Sequence, residues 1–180
     1  TDVYIGFQYG ITDNLNVDFG RSTLPKDEDL LSGQLKYALM HQTADDSSPL
    51  AISLLGMAGV RPYNAYNNFG DRVSYFAQAL FARKITHSFS LQVAPSILYD
   101  NQPEPNVPGN ENAIFSVSAT AKLKVTKLMS IVVDYAHPFS SFRNNSVGYS
   151  DPLGAGIQVV TGGHVFTLNI SNARAINEMN

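Results

Sequence analysis

The chain has 180 residues, a net charge of −3 and neither cysteine nor tryptophan. That length suits one domain with its own core, the missing cysteines exclude disulfide and thiol chemistry, and so small a charge leaves no electrostatic footprint for nucleic acid. Charged residues make up only 15% against 44% hydrophobic, where a soluble protein carries about a quarter, yet no apolar run approaches the roughly 18 residues of a membrane helix.

The first unit is the clearest. Val3, Ile5, Phe7, Tyr9 and Ile11 take alternate positions, with Tyr4, Gly6, Gln8 and Gly10 between them. After Thr12-Asp13-Asn14 the alternation resumes, with Leu15, Val17 and Phe19 against Asn16, Asp18 and Gly20. Strand side chains point alternately to opposite faces, so both segments have one apolar face and one small or polar face. The Asp- and Asn-rich connection suits a tight hairpin.

A polar loop, Pro25 to Asp29, leads to Leu31, Gly33, Leu35, Tyr37 and Leu39, which alternate with Ser32, Gln34, Lys36 and Ala38. Leu31, Leu35 and Leu39 would also fit one face of a helix; the neighbouring strands favour a strand here. Thr43 to Pro49 is a turn, and Leu50 to Val60 is apolar on both faces. A loop from Arg61 to Gly70 precedes Val73, Tyr75, Ala77, Ala79 and Phe81. Ile85-Thr86-His87 turns the chain into Phe89 to Tyr99, where Leu91 and Val93 oppose Gln92. Pro95 lacks a ladder donor and predicts a bulge or an edge.

After a proline-containing loop, Asn101 to Asn112, the row Phe115, Val117, Ala119, Ala121, Leu123 stands against Ser116, Ser118, Thr120, Lys122 and Lys124. Thr126-Lys127-Leu128 turns into Ile131, Val133 and Tyr135 opposite Ser130, Val132 and Asp134. Beyond a loop from Pro138 to Asp151 come Leu153, Ala155, Ile157 and Val159, opposite Gly154, Gly156 and Gln158. Thr161-Gly162-Gly163 is a turn, and Phe166, Leu168 and Ile170 complete the pattern. Asn172 to Asn180 is polar and expected to fray.

About ten strands result, and their connections run short, long, moderate, long, short, long, short, long, short. Outer-membrane barrels have short periplasmic turns on one rim and long extracellular loops on the other. Strands of about ten residues, tilted near 45°, cross the apolar band of a bilayer. The expected fold is therefore all-β, an antiparallel up-and-down transmembrane β-barrel and a single domain over residues 1–180. A soluble β-domain is the competing architecture, because a sheet with one wet face alternates in the same way.

Asp18, Gln34, Lys36, Gln92, Lys122, Lys124, Asp134 and Gln158 all fall on the small-residue face and are expected to line the lumen. Phe7, Val17, Phe19, Leu91, Val93, Phe115, Val117, Leu123, Val133, Phe166 and Leu168 fall on the other face and are expected to meet lipid. Lys or Arg on the lipid face at mid-depth costs about 2–4 kcal/mol, which explains the sorting. With short turns in the periplasm, strand parity leaves both chain ends outside. The chain is thus expected to be a mature, incomplete piece of a barrel of about twelve strands.

The segments Ile5 to Leu15, Gly20-Arg21-Ser22, Ala82-Arg83-Lys84, Leu91 to Pro95 and Thr161 to Phe166 occur in that order. Together they resemble a family of Gram-negative outer-membrane β-barrel proteins known only as a domain of unknown function. The resemblance implies an outer-membrane location and this fold, with further sequence at both ends, but no activity.

Candidate chemistry is sparse. His41, His87, His137 and His164 lie in four segments without metal-ligand spacing, so no metal or other cofactor is expected. Thr161-Gly162-Gly163-His164 reads as a hairpin turn ahead of an anion nest. His137 lies close to Ser140 and Ser141, but no third triad member accompanies them. Asn144-Asn145-Ser146 and Asn169-Ile170-Ser171 match a glycosylation pattern that has no meaning in a bacterial barrel. Tyr63, Tyr66 and Phe69 fit a contact patch or interface aromatics equally well.

The mixed charges of the lumen set are expected to pair across a narrow interior rather than form a selective constriction. The reading is a non-enzymatic outer-membrane barrel that contacts lipid and serves as a structural or partner-binding subunit among envelope proteins. Leu50 to Val60, apolar on both faces, is the expected partner contact. The alternative is a small passive pore for ions or small solutes.

Overall fold

The computed structural model describes residues 3–23, 29–62, 68–101, 111–141 and 150–173. Ten antiparallel strands form one meandering sheet: β1 (Val3–Gly10), β2 (Leu15–Thr23), β3 (Leu30–Met40), β4 (Ala51–Val60), β5 (Val73–Lys84), β6 (Phe89–Asp100), β7 (Ala113–Lys124), β8 (Met129–Phe139), β9 (Leu153–Thr161) and β10 (His164–Ser171). Every strand pairs with its neighbour in sequence, and β1 and β10 are the two edges of a sheet that does not close over the described residues. Among those residues the only helical element is a 3₁₀ turn, Gly70–Arg72.

The segment whose leucine spacing admitted a helix is strand β3. Its pairing with β4 slips by one residue between Ala38 and Met40, so Leu39 is an extra residue in the ladder. Pro95 behaves differently from expectation. β6 is an interior strand, and Pro95 keeps its partner Val117 on β7. On the β5 side pairing lapses between Gln78↔Ser96 and Phe81↔Val93 without an inserted residue. The missing donor costs a stretch of ladder but leaves the register intact.

Three of the hairpins share one turn. In each, a Thr hydroxyl accepts hydrogen bonds from the amides two and three residues on: Thr12 from Asn14 and Leu15, Thr86 from Ser88 and Phe89, Thr126 from Leu128 and Met129. The backbone repeats as well, with the amides of Ile11, Ile85 and Val125 donating to the carbonyls of Leu15, Phe89 and Met129. The hydroxyl supplies the turn hydrogen bond that Ser and Thr are suited to make. These turns stand at one rim of the sheet with the connections 41–50 and 162–163, and Gly162 adopts a φ of 47° there. The strand ends Thr23, Leu30, Val60, Val73, Asp100, Ala113, Phe139 and Leu153, which lead into and out of the longer connections, stand at the other rim.

The sheet curls around its polar face. Ser22, Leu30, Ser32, Leu55, Met57, Ser74, Phe76, Ala94, Ser96, Ile114 and Ser130 are buried, and the strand registers put all of them on that one face. Large residues of the opposite face are exposed, among them Phe7 at 81% and Leu168 at 73%. This is an inversion of a soluble sheet, where the large apolar side chains would be the covered ones.

Candidate functional site

Register connects the two sets of residues that alternation singles out. Asp18 lies opposite Gln34, and Lys36 shares a row with Leu55 and Gln78. Gln92, Thr120, Asp134 and Gly154 form another row, Lys122 pairs with Val132, and Lys124, Ser130 and Gln158 follow. All these positions are on the inward-curled polar face. On the outer face Phe7 pairs with Phe19, Val17 with Leu35, Leu91 with Ala121, Val93 with Ala119 and Phe115 with Phe139. Val117 pairs there with His137, Leu123 with Ile131, Val133 with Ala155, Phe166 with Val159 and Leu168 with Ile157.

The outer face is a continuous apolar surface across ten strands, larger than the patches soluble monomers expose. Two strand cations interrupt it, each near a rim. Arg21 pairs with Asp29 at the long-loop end, and Arg83 pairs with Asp46 at 3.3 Å at the short-turn end. Tyr75, Tyr99 and Tyr135 stand toward the long-loop rim and Tyr9 and Tyr37 toward the other. Aromatic girdles with charges beyond them bound an apolar band in this way.

The polar face is organised differently from the cross-lumen charge pairs expected of it. Among the described residues, none of its charges forms an ion pair with another of the eight predicted residues. Asp18 accepts a hydrogen bond from the Tyr4 hydroxyl at 2.9 Å, and the Tyr4 ring lies over Gly6 and Gly20, where a Cβ would collide with it. Lys122 Nζ donates to Gln158 Oε1 across the intervening strand β8. Asp134 lies against Gly154, where only hydrogen leaves it room.

Among the buried serines of this face lies an apolar cluster. Leu30, Leu55, Met57 and Phe76 form a buried cluster, with Leu80 and Leu98 packed against it. Part of the second apolar face of Leu50 to Val60 is met from within the chain. Leu55 and Met57, its second apolar face, are covered by residues of the chain itself. Sequence alternation missed the cluster because its members come from three strands and meet only through register.

Carboxylates fasten the stems of the long loops. Asp29 binds Arg21, and Asp100 holds Arg61 at 3.2 Å and accepts from the Ser74 hydroxyl at 3.3 Å. Glu111 accepts from the hydroxyls of Ser140 and Ser141 at 2.6 and 2.5 Å. Asp151 accepts from the Tyr135 hydroxyl, and His137 Nδ1 lies 2.9 Å from the same carboxylate oxygen. Phe139 meets the His137 ring edge-on, with centroids 4.9 Å apart. The structure thus supplies the orienting carboxylate that the sequence around His137 did not reveal. Ser140 and Ser141 are engaged by Glu111 rather than the imidazole, so the three residue types do not assemble a triad.

The hydrogen bond from Tyr135, then that from His137, hold the Asp151 carboxyl below the usual carboxylate range. A depressed carboxylate contributes stability that is present above its unfolded-state pKa and is lost as pH falls through the folded value. The Asp151 fastening should therefore persist at neutral pH and release only in acid. Carboxyl-carbon NMR of Asp151 checks this: its midpoint should lie below that of free aspartate, and Tyr135→Phe should raise it. An unchanged midpoint in that variant would refute the assignment.

His41 Nε2 lies 2.8 Å from Asn14 Oδ1, His87 is in the β5–β6 turn, and His164 begins β10 and stacks on Phe166. Thr161 ends β9, so Gly162 and Gly163 alone connect two strands. Asn169 lies on the polar face opposite Gly156. Phe69 is exposed, whereas Tyr63 and Tyr66, the Asn144-Asn145-Ser146 pattern and the tail from 174 lie outside the described residues.

Neither a curated protein nor a solved structure matches this chain. One family model does, described as a membrane-bound β-barrel domain (DUF5777), and it matches residues 1–180. An exposed apolar face bounded by tyrosines and arginines, on an up-and-down antiparallel sheet, is what that description requires. The chain belongs to this family of membrane-bound β-barrel domains.

Proposed function

We propose that this chain is a non-enzymatic β-barrel of the Gram-negative outer membrane, with an interior occluded by its own side chains, acting as a structural or partner-binding subunit of an envelope assembly. The observation that carries the reading is the inward-facing cluster of Leu30, Leu55, Met57 and Phe76. A conducting barrel keeps its interior polar and wet, and pores select with rings of charge or carbonyls. Here the equivalent row runs Gln34, Met57, Phe76, Leu98, Ile114. Segregation of short turns to one rim and long loops to the other favours the outer membrane. The fastened stems of the long loops favour that rim for partners, since binding residues concentrate on loops that a rigid scaffold positions.

Planar-bilayer recording with the purified protein tests the occluded reading. No steady unitary conductance is expected. Reproducible single-channel steps would overturn it in favour of a passive pore for ions or small solutes.

A further inference from the structure

The bulky apolar side chains of the inner face are concentrated on one stretch of wall. Met57, Phe76, Leu98 and Ile114 form a single row across β4, β5, β6 and β7. Leu30 and Leu55 join Met57 and Phe76 in the buried cluster, and Leu80 packs against it. Polar and small residues resume on both sides of that row. Toward the long-loop rim the next row is Ser32, Gly59, Ser74 and Asp100. Toward the short turns Leu55 shares a row with Lys36, Gln78, Ser96 and Ser116, and further on Gln92, Thr120 and Asp134 share another.

Elsewhere the inner face is built flat. β1, β2 and β9 place Gly6, Gly20, Gly154 and Gly156 on it, and longer side chains lie down over those glycines. The Tyr4 ring covers Gly6 and Gly20 and is held there by Asp18, Asp134 lies against Gly154, and Asn169 against Gly156. The bulk that projects inward is therefore apolar and local to β4 through β7. An ion crossing such a row must give up hydration with no polar group to replace it, and apolar constrictions shut a lumen by dewetting.

We infer that the row of Met57, Phe76, Leu98 and Ile114 is a hydrophobic gate in an otherwise polar lumen, and that the barrel is a latent pore for small inorganic ions. Both signs of charge line the approaches. Arg61 is paired with Asp100 on one side of the row, and Lys36, Lys122 and Asp134 lie on the other, so neither sign is selected. The inference rests on the occluded reading, because only a lumen shut by its own side chains is opened by trimming them.

The native chain and the variant F76S/L98S are compared in planar bilayers in potassium chloride, with circular dichroism reporting the fold of each. Unitary conductance steps are expected from the variant and none from the native chain. Steps from the native chain would overturn the occluded reading and the gate with it. A silent native chain beside a folded, silent variant would overturn the gate alone. Leu98 is only partly buried, so Leu98→Ser serves if the double variant does not fold. Gln92→Cys then supplies the readout, in a chain that has no other cysteine. In sealed vesicles with uniformly inserted protein, a charged, membrane-impermeant thiol reagent should reach position 92 from one face only, and from both once Leu98→Ser is added. One-sided labelling that persists beside Leu98→Ser, or two-sided labelling without it, overturns the gate.

Discussion

Phe76→Ala should destabilise the protein by about 3–5 kcal/mol, the range for deleting a large aromatic from a packed core. Phe76 is only 7% exposed although it sits on the face that alternation assigns to polar residues. It pairs with Met57 and Leu98 and packs into the cluster with Leu30 and Leu55. Tyr75, its neighbour in sequence, points the other way and is 50% exposed. Tyr75→Ala should therefore cost markedly less. Urea unfolding of both variants in lipid vesicles decides the matter. Equal losses would mean that Phe76 packs no more tightly than its neighbour, and the occluded interior would have lost its foundation.

Val93→Arg should cost about 2–4 kcal/mol, the penalty for a cation at mid-depth on a lipid-facing surface. Gln92→Arg, one residue away, should cost far less, because Gln92 shares the polar face with Thr120 and Asp134. Val93 pairs with Ala119 on β7 and with Phe81 on β5, one same-face step further from the short-turn rim than the Arg83–Leu91 pair. The two variants place the same cation on opposite faces of β6, so refolding into vesicles of defined thickness reads the orientation of the sheet. Equal tolerance at both positions would remove the bilayer from the argument.

Much of the fold was legible because strand alternation is a local property. Ile5 to Phe19 and Phe115 to Lys124 declare two faces whatever they pair with. Lys122 and Lys124 could be assigned a common face from the sequence, and register then put Lys84 in the row of Lys122, two strands away. The limits are equally physical. Leu55 and Met57 looked surplus to a strand whose other face was already apolar. Only the alignment of β4 with β5 and β6 brings Phe76 and Leu98 against them. Asp151 escaped notice for the same reason, since it is fourteen positions from His137. Pro95 predicts a bulge or an edge, yet a long ladder on the β7 side holds its register. The repeated threonine turn was visible in principle as Ile-Thr or Val-Thr two residues before the next strand-opening pair. Its signal lay in comparing Thr12, Thr86 and Thr126 with one another rather than in reading any of them alone.

Those threonine turns also bear on how the molecule could diversify. A hairpin whose four connecting residues have three amides bonded within the turn resists insertion, so the alignment of β1 with β2, β5 with β6 and β7 with β8 is anchored from that side. Length changes must then be absorbed at the opposite margin, where loop-closure entropy rises only slowly with added residues. One margin acts as a keel and the other as a free canvas, and relatives of this chain should vary in contour at the second while sharing the first.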